Sequence, residues 1–201
     1  GTLAITNSGT STITGIISDG DSAAILTKAG AGTLTLSGDN TYTGATTVNA
    51  GVLAITHADA LGGTSGATTV ANNAALNISG GITTAAEGIT ISGTGVSNRG
   101  AIRNISGDNT IAGQITIAAH TEIASDSGTL TLNISSGSSI TASNKNVTFD
   151  GAGNITVADP IATGSGTLTK SGSGTLTLSA ANTYTGATTI SNGVLIATNA
   201  T

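Results

Sequence analysis

The 201-residue sequence predicts an all-β fold: a right-handed single-stranded parallel β-helix that runs as one continuous solenoid over residues 1–201. Three observations predict it. A long segment recurs almost unchanged far along the chain, and short aliphatic–threonine alternations recur behind glycine-led turns. The large side chains that fill ordinary globular cores are nearly missing, with two Tyr, one Phe and no Trp, so the core must be thin and aliphatic.

The repeat comes first because it sets the architecture. Residues 26–55, LTKAGAGTLTLSGDNTYTGATTVNAGVLAI, align without gaps to residues 168–197, LTKSGSGTLTLSAANTYTGATTISNGVLIA, and are identical at 21 of 30 positions with an offset of 142. A diverged copy near residues 106–117, SGDNTIAGQITI, keeps Asn109 and Gly113 but has Ile111 where the full copies have Tyr42 and Tyr184. GTLTL begins at Gly32, Gly128 and Gly174, and its relatives GTLAI, GVLAI and GVLIA begin at Gly1, Gly51 and Gly193. Within each full copy one glycine-led strand follows another at the same interval, Gly32 to Gly51 and Gly174 to Gly193, with ATTV or ATTI between them. Such an interval, about three short strands in roughly 20 residues, is one coil of a parallel β-helix. The chain therefore divides into roughly ten coils, a rod roughly 50 Å long at ~4.8 Å per stacked strand.

Within one coil, alternation with a period of two sends Leu34 and Leu36 inward and Thr33 and Thr35 outward; Leu176 and Leu178 repeat the pattern. Leu53 and Leu195 continue the aliphatic column on the next strand, and each buried leucine contributes roughly 1.5–3 kcal/mol before entropy is counted. Gly32, Gly51, Gly174 and Gly193 open these strands. Asn40, Asn109 and Asn182 each stand four residues before a glycine (Gly44, Gly113, Gly186), where the chain leaves one strand for the next. Both residue types tolerate the left-handed conformations that such bends use. Lys28 and Lys170 read as charges at a strand edge.

Composition removes several classes of function. Ten acidic residues stand against five basic ones, a net charge of −5, which disfavours nucleic acid and anionic lipid as partners. There is no cysteine, hence no disulfide framework and no thiolate metal site. No stretch approaches the roughly 18 consecutive apolar residues of a membrane span, and no charged-then-apolar leader begins the chain. Both ends read as cuts within a longer protein.

The string GAGTLTLSGDNTYTGATTVNAGVLAI resembles the passenger-associated transport repeat, also called the autotransporter-associated β-strand repeat, of Gram-negative type V secretion proteins. Two full copies and one diverged copy carry the resemblance, and the remaining coils are similar to the spacer coils of large repetitive members. The resemblance implies an exported passenger, displayed at the bacterial surface or outside the cell, whose repeats assist folding beyond the outer membrane. It implies architecture and place rather than a ligand. Neither a translocator barrel nor a signal peptide lies in this sequence.

The residues that could carry chemistry are sparse. Enzymes that cleave polysaccharides need clustered carboxylates and a base, whereas the acids here are scattered among glycine and serine at turns, so no catalytic activity, cofactor or metal is expected. Asp19 and Asp21 are close in sequence, but the GGxGxD nonapeptide of calcium-binding β-rolls is absent. His57 and His120 are single and read as surface or turn residues. Arg99 and Arg103, the only arginines, are close enough to share a face and to engage a sugar carboxylate or sulfate. Tyr42 and Tyr184, at the same repeat position, are candidate stacking platforms for a sugar.

The expected function is a structural stalk or spacer of a surface-exposed autotransporter-like adhesin, supporting display and cell or host contact. Its partners would be neighbouring repeats of the same chain and a surface glycan or protein. Two alternatives accompany it. One is end-to-end self-association into filaments, and the other a glycan or ice surface binder using outward T-x-T pairs such as Thr33/Thr35, Thr129/Thr131, Thr167/Thr169 and Thr175/Thr177.

Overall fold

The computed structural model describes residues 1–198. Short strands, rich in β-branched residues and separated by glycine turns, pair in parallel with the strand one coil further on, giving a β-solenoid of three sides. The second side is the most continuous. It stacks nine strands: Thr10–Ile13, Thr33–Leu36, Gly51–Ile55, Ala74–Ser79, Ile102–Ser106, the latter part of Ile115–Ser125, Val147–Asp150, Leu168–Lys170 and Thr188–Ile190. The expected ten coils are thus about nine among the described residues.

The first side carries Thr2–Thr6, Ile25–Ala29, Thr46–Val48, Thr68–Val70, Ile89–Gly93, the start of Ile115–Ser125, Ile140–Ala142 and Ile161–Ala162. The third side carries strands only from Asn109–Ile111 onward, followed by Thr129–Leu132, Asn154–Val157, Thr175–Leu178 and Val194–Ala197. Before that the third side is the irregular SGDNTYTG-type connection, with one isolated bridge between Thr83 and Thr110.

Parallel register makes the core a set of columns rather than a cluster. On the second side Leu34 pairs with Leu53, Leu53 with Leu76, Leu76 with Ile102, Ile102 with Ile123 and Ile123 with Phe149. All of these are buried. Leu36, Leu176 and Leu178 are buried as well, while Leu195, on the last described strand, is half-buried. Coil length varies without breaking the columns. Thr33 pairs with Val52 across a short coil, whereas Leu76 pairs with Ile102 across a longer one, and the extra residues form a loop at the corner between first and second sides.

The two full repeat copies do not occupy equivalent sides. In the first copy Leu26–Lys28 lies on the first side and Thr33–Leu36 on the second. In the other copy Leu168–Lys170 lies on the second side and Thr175–Leu178 on the third. The pattern has advanced by one side. The advance falls across the coils in which the third side first gains a strand and Ile115–Ser125 runs through the corner to serve two sides at once.

The repeat asparagines act differently from the expectation of left-handed bends. Among the described residues, the non-glycine residues with positive φ are Asn73, Ser97, Asn98 and Asn144, not Asn40, Asn109 or Asn182. Instead each repeat asparagine reaches back one coil. Asn40 Oδ1 accepts from Ile17 N–H at 2.8 Å, Asn109 Oδ1 from Ile82 N–H at 2.8 Å and Asn182 Oδ1 from Ile161 N–H at 2.9 Å. A side-chain amide thus supplies the backbone partner where the ladder is interrupted. The glycines that follow serve close approach: a Cβ at Gly44, Gly113 or Gly186 would overlap the carbonyl oxygen of Ala24, Glu87 or Gly166 in the preceding coil. Gly51 and Gly193 do adopt left-handed φ, of 69° and 72°.

Candidate functional site

The longest coil carries the loop that builds a cleft. Between Ile89–Gly93 and Ile102–Ser106 the chain turns through Gly95, Ser97, Asn98 and Gly100, all with positive φ, and closes with a hydrogen bond from Gly100 N–H to Thr94 O at 2.8 Å. The loop sets Asn98 and Arg99 against the outward face of the following coils. Together with Ala124, Asp126, Asp150, Gly151 and Ala152 they line an open cleft of about 280 Å³. Both arginines of the chain and three of its ten acids gather here.

The geometry separates the two arginines. Arg103 donates from Nε to Asp126 Oδ1 at 3.0 Å and from Nη2 to Asp126 Oδ2, a bidentate pair that leaves its side chain 18% exposed. Arg99 stands 60% exposed with only a 3.9 Å approach to Asp126. It is the free cation of the cleft. Asp150 lines the same cleft from two coils further on, and the carboxyl of Glu122 is pushed up to about 7, first by burial and then by repulsion from Asp150. The expectation of an acidic-sugar site on Arg99 and Arg103 is therefore corrected. Arg103 is neutralised by Asp126, and an anionic ligand would meet one free guanidinium, that of Arg99, beside the two carboxylates of Asp126 and Asp150.

Tyr42 is likewise no sugar platform. Its ring has no exposed surface, its hydroxyl pairs with Thr46 Oγ1 at 2.6 Å, and burial pushes its pKa up to about 12. Tyr184 makes the same contact, to Thr188 Oγ1 at 2.8 Å, but is only half-buried. Below Tyr42 the stack holds Glu87, buried, accepting from Thr68 Oγ1 at 2.6 Å and pushed up to about 7 by desolvation.

Lys28 and Lys170 are core residues rather than edge charges. Lys28 stacks between Ile5 and Val48, and its ammonium donates to the carbonyls of Ala29, Gly30 and Ala50 at 2.9, 2.8 and 3.1 Å. Lys170 sits between Phe149 and Ile190 and donates to Gly172 O. Burial lowers both pKa values. The corner carbonyls of the glycine turn take the place of water around the charge.

Asp19 ties coils together. It accepts from the N–H groups of Ala24 and Thr43 at 2.7 and 3.0 Å and from Thr43 Oγ1 at 2.6 Å, which lowers its pKa. His120 Nδ1 accepts from Asn146 N–H at 2.9 Å. Among the described residues, the one group of side chains placed to hold a metal is Asp39, His57 and Asp59. Sequence spacing hides it because the ligands come from successive coils.

The T-x-T pairs do not form one array. Thr33/Thr35 lies on the second side and Thr129/Thr131 and Thr175/Thr177 on the third. What does form is a single column on the first side, Thr27, Thr47, Thr69, Thr90, Thr116 and Thr141, one per coil. Its signal is the threonine that stands between two inward-facing residues of each strand.

Nine parallel rungs, the glycine–lysine corners and the asparagine ties define a repeat-built parallel β-solenoid. The passenger-associated-transport-repeat family matches residues 26–55 and 168–197, the two full copies. Among characterised proteins the chain is similar to the "Adhesin BmaC autotransporter" of Brucella suis biovar 1 (strain 1330), 51% identical over 51 residues. That match covers 25% of this chain and 2% of the relative. No solved structure matches the chain.

Proposed function

We propose that this chain is a non-catalytic section of a passenger displayed at the bacterial surface, acting as a stiff spacer that also makes lateral contact with neutral glycans through the Arg99–Asp150 cleft. The observation that carries the contact is the cleft itself. In a rod whose outward faces are mostly Thr, Ser and Ala, one free guanidinium, one amide and two carboxylates converge around a single opening. Such groups pair with vicinal hydroxyls as donors and acceptors, and their mixed charge disfavours uronates and sulfated sugars. The spacer role is supported by the unbroken second-side ladder. The adhesin name of the Brucella relative is consistent with a contact function and no more.

The test is binding of the purified 201-residue chain to a panel of neutral, uronate and sulfated glycans, beside an Arg99→Ala/Asp150→Ala variant. Saturable binding to neutral glycans that disappears in the variant supports the contact. Binding confined to sulfated sugars overturns its chemistry, and no binding at all leaves the spacer role alone. Release of sugar fragments by the wild type would overturn the non-catalytic reading.

A further inference from the structure

Two successive turns on one corner of the rod place three metal-ligand side chains together. Leu36 pairs with Ile55, Thr56 N–H donates to Leu36 O at 3.1 Å, and Asn40 N–H donates to Asp59 O at 3.2 Å, so the turn that follows Thr33–Leu36 lies directly on the turn that follows Gly51–Ile55. This stacking brings a carboxylate oxygen of Asp39, a ring nitrogen of His57 and a carboxylate oxygen of Asp59 within 4.8 Å of one another. We propose that Asp39, His57 and Asp59 form a divalent transition-metal site, best suited to Zn²⁺, that clamps these two coils together.

Three further observations support it. Several other carboxylates of the rod have evident structural work: Asp19, Asp108 and Asp159 accept backbone N–H groups of Ala24, Thr129 and Ile134, and Asp126 holds Arg103, although Asp21, Asp150 and Glu122, like the proposed ligands, accept none among the described residues. Among the described residues, the carboxylates of Asp39 and Asp59 accept no hydrogen bond, although Asp59 Oδ2 lies 4.0 Å from His57 Nδ1. Secondly, the repeat does not need an acid at this point, since the position of Asp39 in the other full copy is Ala181. Thirdly, His57 is oriented. Its Nδ1 accepts from Asp59 N–H at 3.2 Å, which turns this edge of the ring toward the acids. A metal on Nδ1 replaces that long hydrogen bond, and water can satisfy the N–H of the half-exposed Asp59.

The donor set selects the ion. One imidazole and two carboxylates suit Zn²⁺ and its borderline neighbours, while Ca²⁺ demands six to eight oxygens. Two carboxylates neutralise the dication, and the fourth tetrahedral position is left to water. Zinc bonds of about 2.0–2.2 Å require the three donors to draw closer, which solvent-facing side chains on adjacent turns reach by rotation.

The experiment is calorimetric titration of the 201-residue chain with ZnCl₂, with His57→Ala, Asp39→Ala and, as control, His120→Ala. The expected result is one Zn²⁺ per chain, bound at least about 10-fold more weakly by the first two variants and unchanged in the control. Circular dichroism of each variant separates lost ligands from lost fold, because a variant with the wild-type spectrum and lost binding has lost only a ligand. The proposal is overturned if the wild type takes up no Zn²⁺ at millimolar metal, if His57→Ala binds as the wild type does, or if binding follows His120.

Discussion

The two full repeat copies are a natural experiment in which nearly the same residues meet different neighbours. In the first copy Tyr42 has no exposed surface and Asn40 Nδ2 donates forward to Ala60 O, in the next coil, at 2.7 Å. In the other copy Tyr184 is half-buried and Asn182 Nδ2 turns back to Ala180 O, in its own coil, at 3.1 Å. Contacts to the preceding coil are the same in both, from Asn40 and Asn182 through their Oδ1 atoms and from Gly44 and Gly186 through close approach. A repeat therefore supplies half of its own environment. The other half comes from the coil that follows it, which in the first copy buries Tyr42 and accepts from Asn40 Nδ2.

Substitutions at paired positions break or sharpen this comparison. The largest difference should come from tyrosine: Tyr42→Ala removes a fully buried ring and its hydroxyl partner and should cost about 3–5 kcal/mol, against about 1–2 kcal/mol for Tyr184→Ala. Urea unfolding read by hydrogen exchange around each copy would measure both, and equal losses would contradict forward burial as the cause.

Next comes Glu87, which lies outside both copies but is buried near Tyr42 of the first. Its carboxyl is raised from 4.5 to about 7, so the folded form favours the proton. Stability from this group is full below about pH 4.5, falls as pH rises toward 7 and is flat above. The total loss is about 3 kcal/mol. Glu87→Gln should remove this slope and stabilise the protein at about pH 8, leaving only the smaller slope of the more accessible Glu122. A pH–stability profile unchanged by the substitution would show that Glu87 ionises freely in the fold.

Glycine tests the backward contacts, which both copies share. Gly44→Ala and Gly186→Ala each push a methyl group into a carbonyl oxygen of the coil before, and each should cost about 1–3 kcal/mol, alike within error. A loss in only one copy would mean that the corners are packed differently. The smallest difference belongs to the asparagines. Asn40→Ala forfeits a bond on each side of its coil and Asn182→Ala a single intercoil bond, a gap of about 1 kcal/mol in denaturant midpoint analysis.

Much of the fold is legible along the chain. Alternation in GTLTL places Leu34, Leu36, Leu176 and Leu178 in the core, and the spacing from Gly32 to Gly51 is one short coil, as the register of Thr33 with Val52 bears out. The candidate cleft is less legible. Arg99 and Arg103 stand out in sequence, but Asp126 and Asp150 join them from later coils, and only their arrival decides that Arg103 is paired and Arg99 free. Lys28 misleads because charge suggests a surface, whereas its ammonium finds three carbonyls at a glycine corner.

By itself the sequence determined the repeat, the strand and turn vocabulary, the parallel solenoid and the aliphatic side of each strand, since period-two alternation and glycine placement act within a few residues. Tertiary structure alone decided which side of the rod each copy occupies, that Tyr42 is core, that six threonines form one column and that Asp39 meets His57. The physical reason is register. Coils of unequal length, a short one from Thr33 to Val52 and a long one from Leu76 to Ile102, hold the same columns, and the slack taken up in corner loops determines which residues become neighbours one coil away.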